Sequence, residues 1–330
     1  MTIIDELKIK HSSYSSDQID KKIEEWQLQH PGESLEKLRV FLTPSTAPFE
    51  LRPCFECNEK CIHCFNGEAE RDVKRPELKE IYKQLDTMTT EDTVCVIGGE
   101  PTMRKDLAEV LKYIKEKGKQ VNLHTNGLRL HDESYLNELI PYIDYVTLPI
   151  HSSDHDIFDS ITQVKGSAEK TIAMFKKLIQ IDGIRVTTQT VINQLNYRTL
   201  LDTFDMIQDI APSIRMLLTF PTPSGAAHSS KVTPRYSEIK DYIHPALEKH
   251  GALLGTRDIP RCYLYPYQQK IMSNLDGDHS TREGPEILDK RIKAPSCRDC
   301  IFTKECIGVW KEYGILYPDL DLNPVRRVSQ

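Results

Sequence analysis

The chain has 330 residues and 38.0 kDa, 39% hydrophobic and 28% charged, enough for one large α/β domain with a small appendage or for two domains. Its net charge of −6 supplies no basic field for nucleic acid, and no apolar run approaches the roughly 18–20 residues that a membrane span needs. The N-terminus has no apolar signal region, so a reducing cytoplasm is the expected location; disulfides are rare there, and nine cysteines need another explanation.

Residues 1–47 are charged and poorly apolar, with one helix expected over "SDQIDKKIEEWQLQ" before "HPGES" breaks it. From residue 48, strands and helices alternate. Strands are expected at "APFEL", "TVCVIGG", "QVNLHTNG", "DYVTLPIH", "IRVTTQTVIN" and "IRMLLTF". Helices are expected at "LAEVLKYIKEKG", "ESYLNELIPYI", "AEKTIAMFKKLIQIDG" and "TLLDTFDMIQDI". About six βα units over 48–225 imply an α/β fold: a parallel sheet with right-handed crossovers, closed as a partial (β/α)6 TIM-like barrel. "PTPSGAAHSSKVTP" marks a boundary, "YSEIKDYIHPALEKHG" reads as a linker helix within 226–256, and 257–330 is a turn-rich tail.

Eight of the nine cysteines fall into two groups, which in a reducing compartment read as metal or redox sites. Cys57, Cys61 and Cys64 have the spacing CxxxCxxC on the loop after the first strand, at the mouth where α/β barrels keep their sites. Cubane iron–sulfur clusters usually take four thiolates, so three leave one iron open to a ligand. A structural zinc site, with Cys54 or His63 as fourth ligand, is the competing reading. Cys54 reads as a packed thiol near the strand end, and Cys95 as a core residue.

The run Cys57-Asn58-Glu59-Lys60-Cys61-Ile62-His63-Cys64 resembles the cluster loop of the radical S-adenosylmethionine (radical SAM) enzymes. Two further matches follow in order: Gly98-Gly99-Glu100-Pro101 ends the second strand, and Thr125-Asn126-Gly127 ends the third. A structural zinc site leaves both unexplained. The resemblance covers about residues 48–225. It implies a 4Fe–4S cluster whose open iron chelates SAM, and one electron, from a reductant such as flavodoxin or ferredoxin, cleaves SAM to methionine and a 5′-deoxyadenosyl radical. That radical takes a hydrogen atom from the substrate. His63 stands where the family contacts the adenine, the Gly98–Pro101 turn where it holds the SAM amino group. By position His151, Ser152 and Ser153 after the fourth strand face SAM or substrate, or form a solvated loop; Gln189 and Asn193, on or after the fifth, stand where the family contacts SAM. No catalytic side chain is assigned.

In the tail, "CRDCIFTKEC" places Cys297, Cys300 and Cys306 as CxxCx5C, and Cys262 makes a fourth thiolate. A zinc knuckle and an iron–sulfur cluster both fit. Beside a radical SAM core the segment resembles a SPASM/Twitch extension, which implies one auxiliary 4Fe–4S cluster in a small C-terminal domain. Tyr263, Tyr265 and Tyr267 read as packing around it, Pro221 and Gly225 as turn residues, and Arg104 as a carboxylate binder or a surface residue. Tails of this kind imply a ribosomally made peptide as substrate, with residues 1–47 helping to hold its leader. A small molecule such as a sugar or aminocyclitol is the second reading, and a non-catalytic metal scaffold the third.

Overall fold

A computed structural model describes residues 48–66, 73–88, 93–271, 273–274 and 289–326; the helix expected over residues 16–29 lies outside them. Eight strands form one parallel sheet in chain order. They are β1 (Phe49–Leu51), β2 (Thr93–Val96), β3 (Gln120–His124), β4 (Tyr145–Pro149), β5 (Arg185–Val191), β6 (Arg215–Thr219), β7 (Leu254–Arg257) and β8 (Ser273–Asn274). A separate antiparallel pair, β9 (Arg291–Ile292) and β10 (Val309–Trp310), belongs to the tail. All six expected strands form.

Successive side chains on a strand face opposite sides. One side of this sheet carries Leu51, Val94, Val96, Val121, Leu123, Val146, Leu148, Met216, Leu218 and Leu254, all closed beneath helices. The other side carries Glu50, Cys95, Asn122, His124, Thr147, Gln189, Thr219 and Arg257, in register from strand to strand. Parallel sheets are usually apolar on both faces, so this polar side marks the concave interior. The curl is evident electrostatically: Arg257 on β7 acts on His124 of β3 and on Cys95 of β2. The result is the partial barrel expected.

The covering helices are α1 (Leu78–Leu85), α2 (Leu107–Glu116), α3 (Glu133–Leu139), α4 (His155–Thr162), α5 (Ser167–Leu178), α6 (Leu200–Ile210) and α7 (Tyr236–His250). Two of them, α1 and α4, have no counterpart among the expected elements. Helix α4 starts where Asp154 accepts from the backbone N–H groups of Asp156 (2.9 Å) and Ile157 (3.1 Å), an N-cap inside a stretch that reads as a rim loop. Helix α7, read as a linker, connects β6 to β7 and buries Ile239, Ile243, Ala246 and Leu247. The sheet therefore runs on past residue 225. β7 has only one apolar residue, Leu254, so no apolar run announced it. Short helices α8 (Arg261–Leu264) and α9 (Lys311–Leu316) belong to the tail. Among the described residues, no helix is long and apolar enough to cross a membrane.

Two expectations are corrected. Cys95 is only half-buried and sits on the polar concave side, 3.7 Å from Asn122 Nδ2. Arg104 is neither a surface residue nor a ligand-facing one: its side chain is 2% exposed and forks onto Asp106, both bonds 2.7 Å long. Its Nη1 donates to the carbonyls of Pro53 and Pro76, each 2.8 Å away, and so ties the start of the cysteine loop to the segment before α1. Arg104→Met strands those two carbonyls and the Asp106 carboxylate, and a loss of about 3 kcal/mol in urea denaturation is expected.

Candidate metal centre

The cysteine loop is fixed by backbone bonds to the turn after β2, the end of α4 and the loop after β6. Gly99 N donates to Cys54 O (3.0 Å) and Glu100 N to Glu56 O (2.8 Å). From the other side, Lys60 N donates to Thr162 O (3.0 Å) and Ile62 N to Ile161 O (2.9 Å), both at the end of α4. The loop after β6 closes the ring through Ala226 N to Cys64 O, 3.1 Å. These approaches need glycine. A Cβ on Gly99 would stand 2.1 Å from Glu56 O, and one on Gly98, at φ +137°, 2.3 Å from Cys54 O.

Glu100 organises the two turns that follow β2 and β3. It is 2% exposed. Its Oε1 accepts from Thr102 N (3.0 Å), Thr102 Oγ1 (2.6 Å) and Thr125 Oγ1 (2.6 Å), and its Oε2 from Asn126 N (2.8 Å). Burial still raises its pKa. Asn126 then reaches the cysteine loop, donating from Nδ2 to Asn58 Oδ1 at 2.7 Å. The two sequence motifs and the loop thus form one connected body.

Cys57 and Cys61 are half-buried, and desolvation pushes Cys57 up to about 12 and Cys61 well above its ordinary value; Cys64 adds repulsion to both. Glu59, which is buried, takes a hydrogen bond from Ser167 Oγ and lies 3.6 Å from Cys61 Sγ. His63 and His151 stand edge to face with ring centroids 4.6 Å apart. Burial holds His63 down to about 4 and His151 well below the usual imidazole range, so both are neutral at pH 7. Each keeps a buried Nδ1 without a partner. Cys61, His63 and His151 bring ligand atoms within 4.8 Å of one another.

The other residues expected at the rim are differently engaged. Ser152 is buried, accepts from Asp154 N (3.1 Å) and meets Thr199 Oγ1 (3.3 Å). Asn193 is buried in a local turn, donating to Val191 O (3.1 Å) and accepting from Leu195 N (3.0 Å). Gln189 faces the interior and donates to Thr219 Oγ1, 3.2 Å. Asn58, Glu59 and Ser167 were not singled out from the sequence. Asn58 and Glu59 lie between the cysteines and could have been; the link from Ser167 to Glu59 spans 108 positions and leaves no local trace.

In the tail, Cys262, Cys297, Cys300 and Cys306 line one small cavity with Pro260, Phe302, Leu322 and Pro324. Burial pushes Cys262 up to about 12, a backbone bond from Asn323 opposes this, and the other three sulfurs repel its thiolate. Tyr263 is buried and packs at 5.5 Å on Tyr236, which stacks at 4.1 Å on Phe220 just past β6. Tyr265 is 46% exposed, so the three tyrosines are not one buried stripe.

Residues 52–207 match the sequence profile of the Radical SAM superfamily. That stretch, just under half of the chain, is a radical SAM domain. It is 26% identical over 217 residues to a probable GTP 3′,8-cyclase of Saccharolobus islandicus, covering 64% of this chain and 66% of the relative. It is 29% identical over 157 residues to the Fe-coproporphyrin III synthase of Methanosarcina barkeri, covering 46% of this chain and 39% of the relative. The chain therefore spans less than two thirds of the length of these relatives. In fold it resembles Streptococcus suis SuiB bound to S-adenosylmethionine, with TM-score 0.55 and 17% identity over 96% of this chain and 88% of that one. SuiB bound to its precursor peptide SuiA gives TM-score 0.52 and 19% identity, over 67% of this chain and 51% of that one.

A radical SAM domain implies a 4Fe–4S cluster and SAM. The donor set fits: the three sulfurs repel one another as thiolates, so they ionise together only around a cation, and soft thiolates suit iron–sulfur chemistry. Gly99→Ala drives a methyl group into the Glu56 carbonyl and is expected to remove about half of the iron taken up on anaerobic reconstitution, by colorimetric assay. Gly118→Ala, where a Cβ meets nothing within 4 Å, is expected to leave iron uptake unchanged.

Proposed function

We propose that this chain is a radical SAM enzyme that holds its cluster on Cys57, Cys61 and Cys64, and that a second 4Fe–4S cluster sits on Cys262, Cys297, Cys300 and Cys306. When bound, the first cluster and SAM supply a 5′-deoxyadenosyl radical that abstracts a hydrogen atom from substrate. The observation that carries this reading is the three-thiol loop, clamped at the barrel mouth by the turns after β2 and β3. Three protein ligands leave the fourth iron to SAM.

The chain's own residues bind and orient. Gly98, Gly99, Glu100 and Pro101 fix the turn beside the loop; Glu100 holds Thr125 and Asn126 in place, and the glycine turn would receive the ammonium group of SAM. His63 and His151, both neutral, offer a ring nitrogen to an adenine or ribose without adding charge beside the cluster. Ser152, Gln189 and Asn193 complete the wall. The tail cavity offers four thiolates, full ligation that favours electron relay or structural support over substrate binding. A flavodoxin- or ferredoxin-type protein is the proposed reductant.

Of the two enzymatic readings, the relatives' names favour a small molecule: GTP for one and a coproporphyrin for the other. The peptide reading rests on likeness of fold to a protein seen with its precursor peptide.

Anaerobic reconstitution with iron and sulfide, then dithionite and SAM, is expected to release 5′-deoxyadenosine, detected by chromatography. Replacing Cys57, Cys61 and Cys64 together by alanine should abolish release and leave about four irons per chain. Loss of all iron in that variant would refute the tail cluster. A wild type carrying only tetrahedral zinc would refute the whole reading.

A further inference from the structure

At the mouth of the half-barrel the concave face carries a cation, Arg257, that is in no ion pair among the described residues. Arg257 ends β7, and register with Thr219 puts it on the same side as Gln189, Thr147 and His124. It is partly buried, and its Nε is closed from solvent without a hydrogen-bond partner. Among the described residues no carboxylate lies within 4.0 Å of its guanidinium; the two arginines with 2% exposed side chains contrast with it, Arg104 being paired with Asp106 and Arg291 with Asp258. His124 ends β3 on the opposite wall, with a buried Nε2 that has no partner. Burial pushes its pKa down to about 4, with Arg257 adding to the effect, so its ring is neutral at pH 7 and free to give or take one hydrogen bond.

Closing one nitrogen of a guanidinium from water without a partner carries a cost. The fold had alternatives: Met or Leu at this position would line the wall without that cost. The arrangement becomes favourable when an anion enters, because the planar fork of arginine matches an oxyanion with two parallel bonds. Both residues are the last of their strands, at the rim that carries the cysteine loop, the Gly98–Pro101 turn and Thr125–Asn126. The mouth is where ligands of such barrels bind.

We infer that Arg257, with His124 facing it across the interior, binds an anionic group of the substrate, a carboxylate or a phosphate, and so sets its depth beneath the radical source. Calling that ligand the substrate rests on the radical SAM reading above. The anion site itself does not.

The test uses the reconstituted protein, anaerobic, saturated with SAM and without reductant, titrated by calorimetry with pyrophosphate and separately with glutarate. One of the two is expected to bind and to raise the melting temperature. Preference for pyrophosphate marks a phosphorylated substrate, preference for glutarate a carboxylated one. Arg257→Gln is expected to weaken binding at least about tenfold, and Arg257→Lys, which keeps the charge and loses the fork, by less. Arg257→Met is expected to melt no lower than wild type, because it removes an unpaired charge; Arg215→Gln, at the far end of β6, should bind as wild type does. The inference is overturned if neither anion binds the wild type, if Arg257→Gln binds equally well, if Arg257→Met melts lower, if Arg215→Gln weakens binding as much as Arg257→Gln, or if the anions bind only when SAM is absent. A protein that binds the anion through Arg257 but releases no 5′-deoxyadenosine refutes the functional reading and leaves this site standing.

Discussion

Close contact between two backbones governs this molecule. The turn after β2 lies so near the cysteine loop that any side chain on Gly98 or Gly99 would enter the carbonyl oxygens of Cys54 or Glu56. That closeness lets Gly99 N and Glu100 N bond the loop directly. A loop carrying three thiols gains nothing from its own hydrophobic burial, and its ordering has to be offset elsewhere. Here the offset comes from main-chain bonds to the rim loops, which cost no side-chain entropy and hold the sulfurs in one arrangement before any ligand arrives. Gly225 does the same on the far side, with Phe65 O 2.6 Å from where a Cβ would stand.

Burial then sets the electrostatics. Near the loop, Glu59, Glu100, Cys57 and Cys61 all have raised pKa values, and His63 and His151 lowered ones, with desolvation the largest cause for each. These six groups are pushed toward their neutral forms. A cationic centre entering such a pocket reverses the balance for the thiols, which must ionise to bind it. In the tail cavity burial raises Cys262 and Cys297 in the same direction. The aromatic contacts from Phe220 through Tyr236 to Tyr263 join its cysteines to the barrel, so the tail is packed onto the scaffold and does not hang from it.

The polar concave face is the feature that most separates this sheet from an ordinary parallel one. Its outer side obeys the usual rule and is closed by helices. Its inner side spends hydrogen-bonding residues, and at Arg257 a charge, on a wall that buries little apolar area. Such a wall adds little to folding stability.

Periodicity and punctuation were enough to order the six strands of residues 48–225 and the helices α2, α3, α5 and α6, because each signal sits within a dozen neighbouring residues. The cysteine spacing, Gly98–Pro101 and Thr125–Gly127 were legible for the same reason: each motif is contiguous and follows a strand. Strand β7 and helix α4 were not, since one lacks an apolar run and the other depends on a single capping aspartate. Only the folded chain decided that Glu100 bonds Thr125 and Asn126, that Ser167 reaches Glu59, and that Arg257 looks across at His124. Those pairs are separated by tens to more than a hundred residues. What unites them is the curl of the sheet, which arises from the summed twist of all its strands and is encoded in no single segment.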